Sequence, residues 1–142
     1  MLTRQRASVI CVHNKKLLLV QLVDDINEYK GWFPPGGAIE EGESPGEAAK
    51  RECIEETGVA VEIDSQSSKT YSIVFNWRGR DYKSTTTYFK ARFISEGSPN
   101  FSEKYLLGSH WVPICEWKQY VNTHVGISEQ VRECLKEFYD FE

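Results

Sequence analysis

Residues 44–58 constrain this chain more than any other stretch. Ser44 is a natural N-cap, Pro45 suits the first helical position, and Glu47 completes an S-x-x-E capping box. Gly58 stands where a left-handed residue commonly ends a helix. The spacing predicts a helix over residues 44–57 that carries Glu52, Glu55 and Glu56 at i, i+3 and i+4. At about 100° per residue, these carboxylates share one face. Like charges so placed destabilise a helix by about 0.2–0.5 kcal/mol per pair, and Arg51 supplies only one positive charge against them. A hard divalent cation, which takes oxygen ligands, is the simplest neutraliser. The bland alternative is a solvated acidic face paired with Lys15, Lys50 and Arg51. Ala49 and Cys53 lie to one side of the acids, where small residues pack against a sheet.

Upstream of this helix, Gly31-Trp32-Phe33-Pro34-Pro35-Gly36-Gly37 sets two prolines beside two glycines. That excludes a helix and a central strand, and predicts a rigid loop of special shape. Residues 7–13 and 16–22 read as a hairpin around Asn14-Lys15, followed by a polar loop over 24–30. Residues 59–63 form a short strand. Residues 70–77 and 82–93 form two long strands about a tight Arg78-Gly79-Arg80-Asp81 turn. The second long strand alternates Tyr82, Ser84, Thr86, Tyr88 and Lys90 with Thr85, Thr87, Phe89, Ala91 and Phe93, so its two faces differ. A loop over 95–109, a short strand over 110–113 and a helix over 128–139 complete the chain. Val131, Leu135 and Phe138 line one face of that helix. The order is that of an α+β protein, a mixed sheet with helices packed against it.

With 142 residues, no repeat and no Pro/Gly/Ser-rich linker, residues 1–142 form one domain large enough for a real core. The net charge of −4 argues against binding a DNA duplex through a broadly basic surface. Anionic substrates then need local help from a metal or a basic pocket. Cys11, Cys53, Cys115 and Cys134 match no zinc spacing, and the N-terminus does not read as a signal peptide. No apolar run reaches the roughly 20 residues that span a bilayer. These features point to a cytoplasmic chain with reduced thiols and no membrane partner.

The residues around the acidic helix sharpen its reading. Gly37, Glu43, Arg51, Glu52, Cys53, Glu55, Glu56, Gly58 and Val59 resemble the Nudix box, G-x5-E-x7-R-E-U-x-E-E-x-G-U with U bulky and aliphatic. All seven fixed identities are present, and Cys53 is the one departure, smaller than the usual aliphatic residue. Trp32 to Gly37 is similar to the W-x-x-P-G-G lead-in of MutT-like members, and Trp111-Val112-Pro113 to a late strand opening with Trp-Val. The resemblance implies a Nudix-type α/β/α sandwich. It also implies hydrolysis of a nucleoside diphosphate linked to another group, with Mg2+ or Mn2+ as cofactor. Glu56 becomes the principal metal ligand, Glu52 and Glu55 complete the site, and the Gly36 carbonyl is the backbone ligand. Glu52 is the first candidate for the base that activates water, and Glu103, with Glu96 in reserve, is the candidate from the loop before the last strand. Arg51 organises the carboxylates, and Glu43 ties the loop to the helix. Gly37 and Gly58 are structural positions of the motif.

The substrate expected from the resemblance is a small nucleotide: a nucleoside triphosphate (oxidised forms included) first, then a nucleotide sugar or ADP-ribose, then an RNA 5′ end. A non-catalytic nucleotide-sensing module is the rival reading, and the intact box acids weigh against it. A homodimer is expected insofar as dimers are common among such relatives. Trp32, Phe33 and Tyr88 are the chosen base-binding aromatics, although strand aromatics more often serve the core. Arg6 is the chosen phosphate-binding cation. Arg78, Arg80 and Lys83 read as a solvated hairpin tip.

Overall fold

The computed structural model describes residues 1–100 and 104–142. Among them the strands are β1 (Leu2–His13), β2 (Lys16–Asp24), β3 (Tyr29–Phe33), β4 (Gly36–Ala38), β5 (Val59–Trp77), β6 (Arg80–Glu96) and β7 (Leu106–Pro113). The helices are α1 (Pro45–Thr57), α2 (Trp117–Tyr120) and α3 (Val125–Tyr139), with a 3₁₀ turn (Ile114–Glu116) before α2. One mixed sheet runs β3-β2-β1-β6-β5, with β4 paired to β1 and β7 to β2. The β1–β6 pairing is parallel and the other pairings are antiparallel.

Strand alternation builds the two helix layers. Val9 and Cys11 of β1 face α1, where they meet Ala48, Ala49 and Cys53. Ile10, between them, faces the other way into Val131, Cys134 and Leu135 of α3. The result is the expected α/β/α sandwich. Cys53 is fully buried, and burial pushes the thiols of Cys11, Cys53 and Cys134 up to about 12. At neutral pH these three side chains are inert core thiols.

The ends of α1 form as the sequence requires. Ser44 Oγ accepts the Glu47 N–H at 3.1 Å, and Glu47 Oε1 accepts the Ser44 N–H at 2.9 Å. Gly58 takes φ 77° and donates its N–H to Ile54 O at 2.9 Å. A Cβ there would run into the backbone of Gly97, so both conformation and space demand glycine.

Several element bounds differ from the sequence reading. The rigid loop shrinks to Pro34-Pro35, because Gly31 to Phe33 belong to β3 and Gly36-Gly37 to β4. The prolines lack donors but keep their carbonyls: Pro35 O accepts from Val9 N at 3.0 Å and from Ser8 Oγ at 2.7 Å. Residues 59–63 and 70–77 join as the single strand β5, which crosses a register shift between Asp64 and Ser68. Asp64 caps that irregularity by accepting from Gln66 N and Ser67 Oγ. α3 begins at Val125, three residues early, because His124 Nδ1 accepts the Gly126 N–H at 3.1 Å and supplies an N-cap. β1 begins at Leu2, its polar first half held by pairing with β6 rather than by apolar alternation.

One buried carboxylate locks the far end of the sheet. Asp24, fully buried, accepts N–H groups from Ile26 (3.1 Å), Asn27 (2.9 Å) and Arg78 (2.9 Å), and the Asn27 amide at 2.7 Å. Burial pushes its carboxyl upward, but the Asn27 and Arg78 N–H donors outweigh it and hold the group below the usual range. A carboxyl depressed by folding stabilises fully above its unfolded value of about 3.9, and that contribution is lost as pH falls through the folded value. Stability against urea should therefore decline below about pH 4. Asp24→Asn should flatten that acid limb while lowering stability at pH 7; an unchanged acid limb would assign it to other carboxylates.

Candidate functional site

A cavity of about 270 Å³ opens between β1, β4, β6 and α1. β1 contributes Arg4 and Arg6, β3 Phe33, the β3–β4 connection Pro34, β4 Gly36 and Gly37, and α1 Glu52 and Glu56. Ser84, Thr86 and Tyr88 come from the inner face of β6, Phe75 and Trp77 from β5, and Ile127 and Gln130 from α3. The polar-aromatic face of the 82–93 strand is thus the cavity wall, and its alternation is legible in sequence.

The acids are held in distinct ways. Arg51 makes a forked contact to Glu43, Nε to Oε2 at 2.7 Å and Nη2 to Oε1 at 3.0 Å. Its Nη1 donates to Glu52 Oε1 at 2.9 Å and to Glu55 Oε2 at 3.3 Å, and its Nη2 to Ala38 O at 3.1 Å. Glu43 also accepts the Glu40 N–H at 3.0 Å, joining the loop to the helix. The Arg51 hydrogen bonds, backed by that N–H, hold the Glu43 carboxyl below its ordinary value. Burial pushes Glu52 above its ordinary value, although the Arg51 guanidinium opposes this. Glu56 is 6% exposed, and its Oε1 accepts the Gly36 N–H at 2.9 Å. The Glu55 side chain is 43% exposed and does not line the cavity.

The box glycine Gly37 is held against Glu52 by space, and its neighbour Gly36 against β1. A Cβ on Gly37 would lie 2.5 Å from Glu52 Cδ, and one on Gly36 would strike Ser8 Oγ and lie 2.5 Å from Ala7 O. The donor set suits a hard divalent cation: carboxylate oxygens on one helix face, beside a backbone close enough to bond Glu56. Among the described residues no three acidic, histidine or cysteine side chains already converge as a ready-made metal site. Glu52 and Glu55 instead grip the Arg51 guanidinium, a cation from the chain itself.

The other expected residues divide. Arg6 lines the cavity, and among the described residues its buried Nε has no hydrogen-bond partner, a donor that suits an anionic oxygen. Phe33 lines the cavity, and so does Tyr88, whose hydroxyl donates to Gln130 Oε1 at 2.7 Å. Trp32 does not. As the strand neighbour of Phe33 it points to the opposite face and packs edge-on against Tyr120 at 5.7 Å. Glu96 sits apart from the cavity and accepts the Trp111 indole N–H at 2.9 Å. Glu103 lies outside the described residues. Sequence reasoning missed Gln130 as a cavity residue: it stands beside Val131 on an otherwise apolar helix face, and its burial (6% exposed) is visible only in the structure.

A mixed sheet between helix layers, with an acidic, glycine-backed helix at the cavity wall, defines the class of Nudix-type folds. The chain belongs to the NUDIX family, whose domain model matches residues 2–133. It is similar to an RNA pyrophosphohydrolase of Erythrobacter litoralis (strain HTCC2594), 29% identical over 119 residues that cover 70% of this chain and 73% of that one. It is also similar to diphosphoinositol polyphosphate phosphohydrolase 3-beta of Bos taurus, 24% identical over 135 residues that cover 94% and 78%. A NUDIX hydrolase structure from Nitrosomonas europaea superposes with a TM-score of 0.75 at 21% identity, covering 97% of this chain and 89% of the other. Among the described residues no helix is long and apolar enough to cross a membrane.

Proposed function

We propose that this chain is a pyrophosphohydrolase that uses Mg2+ or Mn2+ to cleave a nucleoside triphosphate or a nucleoside diphosphate joined to another group. The observation that carries this reading is one cavity that holds Glu52 and Glu56 at one wall and Arg6, Phe33 and Tyr88 at the others. Glu56, Glu52 and Glu55, with the Gly36 carbonyl, are the groups that would hold the metal. When bound, a divalent ion there neutralises phosphate charge and lowers the pKa of its water. Arg6 binds a phosphate oxygen with its buried Nε, which has no partner among the described residues. Phe33 and Tyr88 flank the base, and Gln130, held by the Tyr88 hydroxyl, keeps its amide nitrogen for the base edge. Glu52, whose carboxyl burial raises above its ordinary value, takes the proton of the attacking water. Glu103 is the second candidate for that role. Arg51 fixes the carboxylate rotamers through four glutamates, with Glu40 at 3.7 Å the loosest.

A nucleotide panel run with magnesium in ¹⁸O water, with products weighed by mass spectrometry, tests this reading. Label in one phosphate product of an anhydride supports it and names the phosphorus attacked. Tight nucleotide binding without turnover across the panel would instead support a sensing module.

Metal removal should leave the fold standing. The buried clusters on both faces of the sheet are apolar, and Arg51 already neutralises part of the acidic face. Chelator should shift Tm by less than about 3 °C while abolishing turnover. A large drop in Tm would show that the acidic face depends on the ion for folding.

A further inference from the structure

The two ends of the sheet are finished differently. At one end β3 is only five residues long and carries Lys30. At the other, β5 runs for 19 residues and, among the described residues, pairs only with β6. An open strand edge is a row of unpaired N–H and C=O groups, and proteins blunt such edges with short strands, charges, prolines or bulges. The first half of β5 is blunted in this way, by the register shift between Asp64 and Ser68. Residues 69–77, Lys-Thr-Tyr-Ser-Ile-Val-Phe-Asn-Trp, carry no charge after Lys69 and no proline, glycine or bulge. Six of the nine are β-branched or aromatic, so the segment is a strong strand former with a bare edge. Apolar surface gathers at its midpoint. Val74 is 55% exposed. α3 begins against the same place: the His124 ring lies 5.1 Å from that of Phe75, Gly126 backs onto Ile73, and Val125 between them is 74% exposed.

We propose that residues 69–77 pair antiparallel with the same residues of a second copy of this chain, joining two sheets into one across a two-fold axis at Ile73. A two-fold axis normal to the sheet leaves every residue on its own face, and directly opposed residues of an antiparallel pair share a face. The residue on the axis therefore opposes itself, and with residues 69–77 in full overlap that residue is Ile73. On the face turned to the cavity, Tyr71 then meets Phe75 and Lys69 meets Trp77. On the other face Ser72 meets Val74 and Thr70 meets Asn76. This register suits the charges. Lys69, the one charged residue of the nine, lands beside an indole, the best ring for a cation, and no like charges oppose each other. It also brings Val74 and Val125 to the axis, where the second copy covers them. An unrelated strand would have to match nine residues on both faces, which the second copy does by symmetry. Trp77 lines the cavity as well, so the partner's Lys69 stands beside the cavity wall of the first copy, a cation suited to an anionic ligand. Neither the pairing nor its test depends on turnover.

Sedimentation equilibrium of the full chain tests this, together with hydrogen exchange read by mass spectrometry above and below the concentration at which half the chain is dimeric. A dimer is expected, and dimerisation should slow exchange in residues 69–77 and in the first turn of α3. Ser72→Lys combined with Val74→Lys sets cations directly opposite each other in both symmetric pairs, and should weaken the dimer by at least about tenfold. Ser72→Glu combined with Val74→Lys sets opposite charges there instead, and should restore the dimer in a salt-dependent way. Neither residue lines the cavity. Thermal melts of both variants separate loss of the dimer from loss of the fold, and the second retains the Val74→Lys change of the first. A monomer at every concentration up to the solubility limit overturns the inference. So does a dimer whose slowed exchange falls elsewhere, or one that the two like charges leave intact. A dimer weakened equally by both variants overturns the register centred on Ile73.

Discussion

Glu56→Gln should lower kcat by about a hundredfold or more, equivalent to about 2.7 kcal/mol of transition-state stabilisation, and leave the fold intact. The glutamine keeps a side-chain oxygen of the same reach, so it still accepts the Gly36 N–H now bonded at 2.9 Å. The substitution removes the charge alone. Glu56 is almost wholly buried at the cavity wall. A charge lost there is a charge lost to any cation bound there, and solvent replaces little of it. Titration with magnesium should show weaker binding in step with the lost rate. Glu55→Gln is the internal comparison. Its side chain is 43% exposed, lies off the cavity, and shares Arg51 with Glu52, so its loss should be smaller. Wild-type turnover in Glu56→Gln, or an equal loss in Glu55→Gln, would reject the assignment of Glu56 as principal ligand.

The contrast between these two glutamates shows how far sequence carries the site. Helical spacing placed Glu52, Glu55 and Glu56 on one face, and the structure keeps them within reach of one guanidinium or one glycine amide. Spacing carried no information on which acid is buried, because that depends on β1 and β4 crossing above the helix. The same limit explains Trp32 and Phe33. Both are aromatic and adjacent, and only the pairing of β3 with β2 decides which one faces the cavity. Capping signals were local and read correctly, since Ser44, Glu47 and Gly58 act within a turn of their own positions. The joined strand β5 and the early start of α3 were not legible. One depends on continued pairing with β6 across a bulge, and the other on a histidine serving as N-cap.

Gly36→Ala and Gly37→Ala should fail in different ways although they are neighbours. At Gly36 the new methyl would meet Ser8 Oγ, sit 2.5 Å from the carbonyl of Ala7, and sit 2.9 Å from Ser8 Cα. Two of those atoms are backbone in the centre of β1, paired with β4 on one side and β6 on the other. They cannot yield without breaking the ladder. The expected cost is about 3 kcal/mol, the upper part of the range for overpacking, which for a chain of this size lowers Tm by roughly 10 °C. At Gly37 the nearest atoms the methyl would meet belong to the end of the Glu52 side chain, with Cδ at 2.5 Å and Oε1 at 2.7 Å. A side-chain terminus can rotate away, so Tm should fall much less. The rotation draws the Glu52 carboxylate from its place beside Arg51 and out of the cavity wall, so activity should fall sharply in a protein that remains folded. Thermal melts and single-substrate kinetics on the two variants separate the cases. Equal melting temperatures for the two would mean that β1 accommodates a methyl at Gly36. Full activity in Gly37→Ala would mean that the position of Glu52 does not matter to the reaction.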